Sequence, residues 1–524
     1  MSFKIHHLAF AIASFSAVSA HSAGLDRSGQ DTSAFFQDGT YTEAVYTHID
    51  ADVSGKDSAG NKINDIAEKY DFFRYGVKTD VNDTFSVGVI YDEPFGALVD
   101  YTGTNNFTGD ADAVALSTIN TVASKERQDK LTETTLELAN KAFTSKTIEE
   151  ASAYLALAEL FGGTQQSLER VKNAVDNGAT PEMISQSLKA SLPASAKASQ
   201  ERIATIQKSL ASSNVSPETK AVMQRYLDQF TQSAKALQQA PEALDLLTSD
   251  NGNTSVEVHT RNLTGLVGMK LGANKNFQIF AGPQAQHLTG EVHLRGNAYK
   301  GATSYDAIIS PDTAFGWVAG VAYTKPEIAL KASLTYRSEI EHESSISEVF
   351  PLAPLRNMPL SQTNKFKVKT PESYNLDFQT GLSAKHRLLG TAKIRYVPWS
   401  DFKVTPTLYN QISGYNLVDY SDDQWSGEIG VAKQVNDKLA VSGTVGFDTG
   451  AGNPTTTLGP IEGYYSLGLG AKYNLTPNWA VSAGAKYLKF GDATAQLPDH
   501  TSRVGEFEDN DGYIVGVKLS YQQK

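Results

Sequence analysis

The strongest constraint on this chain's fold is a period-two alternation in which one face is apolar with aromatic ends and the other is small or polar. Tyr513, Val515, Val517, Leu519 and Tyr521 alternate with Ile514, Gly516, Lys518 and Ser520. Trp479, Val481, Ala483, Ala485 and Tyr487 alternate with Ala480, Ser482, Gly484 and Lys486. The stretches Tyr465–Tyr473 and Leu330–Arg337 repeat the pattern. Strands of a soluble sandwich also alternate, but nothing there requires aromatic residues at both rims of the buried face. Apolar outside with aromatic ends and polar inside is the pattern of a lipid-facing barrel strand. One such strand is a weak signal, whereas a series of them specifies an all-β transmembrane barrel.

A chain of 524 residues fits either several soluble domains or one large barrel. Residues 1–22 read as a signal peptide: Lys4, His6 and His7 precede the apolar run Leu8–Val18, followed by small residues up to Ala23. Beyond them there is no apolar stretch of about 18 residues, so no membrane-spanning helix is expected. The chain has no Cys, which removes disulfide scaffolds, thiolate nucleophiles and Cys-ligated metal. A formal charge of −12 argues against a nucleic-acid partner.

The pattern divides the chain into 23–39, an N-terminal plug segment; 40–110, strands 1–3; 111–250, a helical insert; and 251–524, strands 4–14. About fourteen strands result, an even number as barrels require. They span 40–54, 70–80, 84–100, 254–272, 277–295, 313–324, 328–344, 365–383, 388–407, 423–435, 438–449, 463–475, 479–496 and 508–521. Every short connection follows an even-numbered strand and every long one an odd-numbered strand. Periplasmic turns are short and outer loops long, so both termini are expected in the periplasm and the insert outside.

In the insert, Thr147-Ile-Glu-Glu150 is a capping box for a helix over Ala151–Phe161, with Gly162-Gly163 as its stop. Thr180-Pro181 and Ser216-Pro217 each set a capping hydroxyl before Pro at the first helical position. Five or six amphipathic helices of this kind would bury one another in a small bundle. Such a bundle serves either as a packed cap or as a ligand or partner site.

Four stretches resemble the outer-membrane long-chain fatty acid transporter family, which includes toluene-type hydrocarbon transporters. They are Trp317–Glu339, especially Leu334-Thr-Tyr-Arg-Ser-Glu339; Thr370-Pro-Glu-Ser373; Tyr396-Val-Pro-Trp-Ser-Asp-Phe402; and Trp425–Asp448, ending Gly446-Phe-Asp448. The resemblance covers about 24–110 and 251–524 and leaves the insert unmatched. It implies a monomeric 14-stranded barrel, plugged by its N-terminal segment, that moves hydrophobic molecules passively and releases them sideways into lipid through a kink in the third strand.

That strand contains Tyr91-Asp-Glu-Pro-Phe-Gly96. Pro94 cannot donate to a ladder and Gly96 permits a bulge, so Pro94, Phe95 and Gly96 mark either a lateral opening or an ordinary bulge. The plug is shorter than is usual for the family and lacks its Asn-Pro-Ala motif. Phe35 and Phe36 either line a ligand pocket there or pack against the wall. The inward set includes Lys331, Arg337, Glu339, Lys393 and Arg395. The luminal basic candidates Arg337, Lys331, Lys393 and Arg395 would either bind a fatty acid carboxylate or form an internal ion-pair lattice. His287, His293 and His342 read as solvated residues near the outer strand ends.

There is no Gly-x-Ser-x-Gly elbow, His-Glu-x-x-His helix or phosphate loop, so no enzyme, metal or cofactor is expected. The sequence therefore points to passive outer-membrane transport of long-chain fatty acids or similar hydrophobic compounds. The expected partners are that ligand and the lipid of a Gram-negative outer membrane. The alternative is a barrel that displays the insert as an interaction or adhesion module.

Overall fold

The structure, a computed structural model, describes residues 25–249, 252–356 and 358–523, so the expected signal segment 1–22 lies outside the described residues. Fourteen antiparallel strands close a barrel. They are β1 (Thr40–Asp52), β2 (Tyr70–Asp80), β3 (Phe85–Asp92 and Gly96–Asp100), β4 (Ser255–Leu271), β5 (Phe277–Leu294) and β6 (Tyr305–Lys325). After them come β7 (Leu330–Arg337 and Ile340–Val349), β8 (Ser361–Thr370 and Ser373–Ser383), β9 (Leu388–Val397) and β10 (Gln424–Gln434). The last four are β11 (Leu439–Asp448), β12 (Glu462–Asn474), β13 (Trp479–Gly491) and β14 (Asp511–Gln523). β1 pairs with β14 from Thr40↔Gln523 to Asp52↔Asp511, which closes the cylinder. Both barrel termini lie at the end that carries the short turns.

The alternation reports the environment as expected. At the loop end, outward rings of neighbouring strands form a belt: Trp317–Tyr336 at 5.0 Å, Tyr336–Tyr374 at 5.0 Å, Tyr374–Tyr396 at 6.0 Å and Tyr396–Trp425 at 4.7 Å. Phe277–Tyr323 and Trp479–Tyr521 mark the turn end. Between the belts, Leu334, Leu376, Ile394, Ile429, Leu467 and Val517 are exposed. Tyr513 to Tyr521 spans about 26 Å along the strand, or about 20 Å along the normal at a tilt of roughly 40°. Beyond the loop-end belt the outward face becomes ionic, with Lys367–Glu341 and Lys369–Glu339 each at 2.9 Å.

Several expected boundaries shift. β6 starts at Tyr305 rather than 313. β9 stops at Val397 rather than 407, because Pro398 cannot donate to a ladder and the chain turns into a loop at Trp399–Asp401. β13 stops at Gly491 rather than 496, since Ala493–Gln496 leaves the wall to pair with Arg503–Phe507 in a small sheet over the loop end. Glu339, expected to face inward, is exposed and pairs with Lys369. The two residues between the halves of β7 shift its phase, so that Arg337 and Ile340 both face the interior.

The insert folds as five helices: α1 (Ala111–Val122), α2 (Lys125–Phe143), α3 (Ile148–Asp176), α4 (Pro181–Ala211) and α5 (Pro217–Ser249). Thr147, Thr180 and Ser216 accept from the Glu150, Met183 and Thr219 N–H groups. Gly162-Gly163 does not stop α3, which runs on to Asp176. Two glycines cost an isolated helix about 2 kcal/mol, and burial of Leu157, Leu160, Phe161 and Leu168 outweighs this. The distal half has its own core around Leu157, Phe161, Met223, Leu227 and Phe230. The proximal half, through Val114, Ile119, Leu244 and Leu247, joins a large aromatic core over the loop end that holds Tyr101, Phe107, Tyr305, Phe350 and Trp399.

Candidate functional site

The wall is interrupted where Pro94 predicts it. β2 pairs with β3 only from Asp80↔Ser86 to Tyr75↔Tyr91. The second half of β3, Gly96–Asp100, pairs with β4 alone. Above the gap the run-in to β2 rejoins β3 at the Ala67↔Val99 bridge, with the Asp100 N–H donating to Ile66 O at 3.0 Å. A bounded break therefore separates Tyr70–Arg74 from Asp92–Gly96, just beyond the outward rings of Tyr75 and Tyr91. On its other side, the Phe95 N–H donates to Thr260 Oγ1 at 2.8 Å, which anchors the kink to β4.

The N-terminal segment supplies the partners that β2 does not. The Arg27 N–H donates to Pro94 O at 2.7 Å and the Gly96 N–H donates to Leu25 O at 2.8 Å, around an Asp26↔Phe95 bridge. Arg27 Nε donates to Gly96 O at 2.7 Å. Burial pulls the Arg27 guanidinium down to about 10, which leaves it cationic at neutral pH. Phe95 is buried, and its ring meets Trp399 edge-on at 5.7 Å in the loop-end core.

From the break the segment runs down the lumen to Gly39. Asp31 pairs with Arg74 at 3.1 Å and Lys393 at 3.7 Å, and Asp26 pairs with Arg395 Nε at 2.5 Å. Phe35 packs against the wall with Phe280, Ile90, Leu266 and Val318. Its ring occupies a notch that only glycine allows, because a Cβ on Gly88 or Gly268 would stand 2.8 or 2.9 Å from it. Phe36 meets Phe280 at 5.1 Å and lines a cavity of about 70 Å³ together with Gln37, Lys331, Ser333 and Gln379.

The four basic candidates divide. Arg395 binds Asp26, Gln30 Oε1 at 3.2 Å and Gly29 O at 3.4 Å of the plug, and Asn375 Oδ1 at 2.8 Å of the wall. Lys393 joins Asp31 to Asp377, and Lys331 donates to Phe36 O at 2.9 Å. These three hold the plug. Arg337 is buried and donates to Thr264 Oγ1, Gln284 Oε1 and Gln30 O; among the described residues it makes no ion pair. A second luminal cavity, of about 60 Å³, lies between Gly29, Asp31, Lys393, Arg395, Glu428 and Lys486. Both cavities are far below the roughly 300 Å³ at which ligand pockets begin.

Sequence reasoning missed His342. It is fully buried: its Nδ1 lies 2.9 Å from Asp312 Oδ2 and its Nε2 lies 2.9 Å from Gln286 Oε1. β6 and β7 keep one register from Val318↔Arg337 to Ile309↔Ile346, yet no ladder joins them in between. Beyond a backbone bond from the Ser338 N–H to Trp317 O at 3.0 Å, side chains close this seam, through the His342–Asp312 pair, Ser310 Oγ–Ser345 Oγ at 2.8 Å and the Ser338 Oγ contact to the Trp317 N–H at 3.0 Å. The period-two pattern alone could not reveal it, because the phase shift at Ser338–Glu339 has no Gly or Pro to mark it. Among the described residues no helix is long and apolar enough to span a membrane, and no three His, Asp or Glu side chains cluster as metal ligands.

A closed barrel with two aromatic belts, an apolar outer band and a polar, plugged lumen defines an outer-membrane barrel. The chain belongs to the outer membrane protein transport family (OMPP1/FadL/TodX), whose pattern it matches over residues 236–522. The family is one of transport proteins rather than enzymes. The fold is similar to a Pseudomonas aeruginosa FadL homologue, at 12% identity with a TM-score of 0.53 over 94% of each chain. It is also similar to a TodX deltaS2S3 mutant, described as a monoaromatic hydrocarbon channel, at 10% identity with a TM-score of 0.50 over 98% of this chain and 99% of that one. No curated protein matches the sequence.

Proposed function

We propose that this protein is a passive outer-membrane channel for long-chain fatty acids or similar hydrophobic compounds, oriented with its loop end outside and both barrel termini in the periplasm. Ligand is taken up at the loop end, displaces the plug around Phe36, and leaves sideways between β2 and β3. The observation that carries this reading is the bounded break beside Pro94, just beyond the aromatic belt. A hydrophobic ligand released there emerges sideways at the edge of the apolar band, beside the belt, rather than through an aqueous pore. Arg337, without an ion-pair partner among the described residues, is the basic candidate best placed to receive a carboxylate.

The test is uptake of a labelled long-chain fatty acid by cells that lack their own outer-membrane fatty acid transporter, at matched surface levels. Uptake is expected with the wild-type chain and is lost in a folded Pro94→Val variant, which restores the backbone N–H that Pro94 withholds from the wall. Equal uptake by that variant refutes the lateral route. The separate distal core of the insert favours a second reading, display of that bundle to a partner. Deleting the insert distinguishes the two, since transport survives at least in part under the first and all function is lost under the second.

A further inference from the structure

The break between β2 and β3 is occupied, and its occupant differs from the wall around it. Tyr70, the first residue of β2, is only 3% exposed, although it lies beyond the β2–β3 ladder and has no partner in it on the β3 side. Its ring lies almost parallel to the imidazole of His259 on β4, at 5.7 Å and 19°, with the hydroxyl 3.3 Å from Nδ1. Between these two strands runs β3, where the residue opposite His259 is Gly96. A Cβ at that position would stand 3.3 Å from the Tyr70 hydroxyl and 2.9 Å from Val258 O, so Gly96 makes the room through which Tyr70 reaches His259. On the luminal side, the Arg27 guanidinium sits over the same ring at 4.7 Å, and Arg27 also holds Gly96 O. His259 is part-exposed on the outer face and is held through Nε2 by Glu257 at 2.8 Å, whereas Arg27 is buried in the lumen.

We infer that Tyr70 is the stopper of this break: its ring, sandwiched between Arg27 of the plug and His259 of the outer wall, closes the path from lumen to lipid and must swing aside for each ligand that passes. The assignment rests on the lateral route proposed above. Three features support a movable ring over a fixed wall element. No β2–β3 ladder crosses the gap, so opening breaks only the plug's bonds to Pro94 and Gly96. The ring is held by the His259 stack and hydroxyl contact, the Arg27 cation–π contact and a tilted contact with Phe72 at 6.1 Å, each a modest interaction. One of those contacts belongs to the plug, so a ligand that displaces the plug removes half of the sandwich. The seam between β6 and β7 shows the contrast, because it is sewn by hydrogen bonds to buried polar groups that would be stranded on opening.

The test uses the full-length protein in the outer membrane of cells lacking their own transporter. Initial uptake rates are measured for a radiolabelled long-chain fatty acid and for a radiolabelled monoaromatic hydrocarbon, at matched surface levels. With ring opening as the slow step, Tyr70→Ala raises the rate of at least one probe roughly 5- to 30-fold, the factor given by losing one ring stack and one cation–π contact. Tyr70→Phe keeps the ring but loses the hydroxyl contact to His259, so its rate rises by less than that of Tyr70→Ala. His259→Ala, at a part-exposed site that leaves the core intact, raises uptake by a smaller factor and serves where Tyr70→Ala fails to fold. If Tyr70→Ala or His259→Ala folds and transports no faster than wild type while Pro94→Val blocks uptake, the stopper is overturned and the route stands. If Pro94→Val transports as wild type, the route itself fails and takes the stopper with it.

Discussion

Arg395 offers the sharpest test of how the plug is held. Its guanidinium reaches Asp26, Gly29 O and Gln30 from the wall, so Arg395→Ala removes three of the plug's anchors at once. Asp26 is fully buried, and a buried carboxylate that loses its cation costs about 3–5 kcal/mol. Water entering the vacated volume favours the lower end, about 3 kcal/mol, which multiplies the population of undocked plug roughly 150-fold. The cost falls on the plug rather than on the barrel, because β9 keeps its backbone ladders to β8 and β10. The chain has no Cys, so Ser28→Cys, at a site 1% exposed, gives a single buried reporter. Its reaction rate with a small maleimide is expected to rise by about two orders of magnitude when Arg395→Ala is added, with an unchanged barrel unfolding midpoint. Arg395→Lys keeps the charge but not the fork and falls in between. Labelling of the Arg395→Ala protein within about threefold of its parent would refute the view that this ion pair docks the plug.

Two further outcomes follow from the same geometry. Thr32 Oγ1 and Thr335 Oγ1 lie 3.4 Å apart across the plug–wall boundary, close enough for a Thr32→Cys/Thr335→Cys disulfide in a chain without other thiols. The oxidised form is expected to lose uptake and the reduced form to recover it; undiminished uptake when oxidised would show that the plug need not move. His342→Ala removes the partner of Asp312 at the β6/β7 seam, while Gln286 keeps Thr370 Oγ1 at 2.7 Å, and should lower barrel stability by about 1–2 kcal/mol, read as a fall in the unfolding midpoint; an unchanged midpoint would remove His342 from the seam.

How much of this was legible in the sequence depends on what each feature requires of a residue. The wall was legible because lipid on one face and a polar lumen on the other impose a period of two, and the belt positions Tyr336, Trp479 and Tyr521 follow from it. The interruption at Pro94 was legible because a missing N–H is written into the residue type. The partners across the lumen were not. Asp26 and Arg395 are 369 positions apart, and nothing local in either marks the pair. Likewise Glu339 looked luminal from the alternation before it, and only the two-residue slip in β7, unmarked by Gly or Pro, turned it outward. Gly162-Gly163 read as a helix stop because propensity acts locally, while the helix-to-helix burial that overrides it does not.

Two places where the wall loses its ladder lie close to the loop-end belt, and they are closed by different chemistry. Between β6 and β7 the closure is polar and buried: His342, Asp312, Gln286 and serine hydroxyls would each have to give up a partner if the strands parted. That penalty, of order 1–3 kcal/mol per stranded group, makes the seam a poor exit. Between β2 and β3 the closure is a ring, a guanidinium and the plug backbone. Parting there exposes aromatic surface to a passing apolar ligand and to lipid, and both can cover the ring faces that Arg27 and His259 leave. The same loss of pairing is thus locked at one site and yielding at the other, and under the proposed function this difference in side-chain chemistry selects the exit.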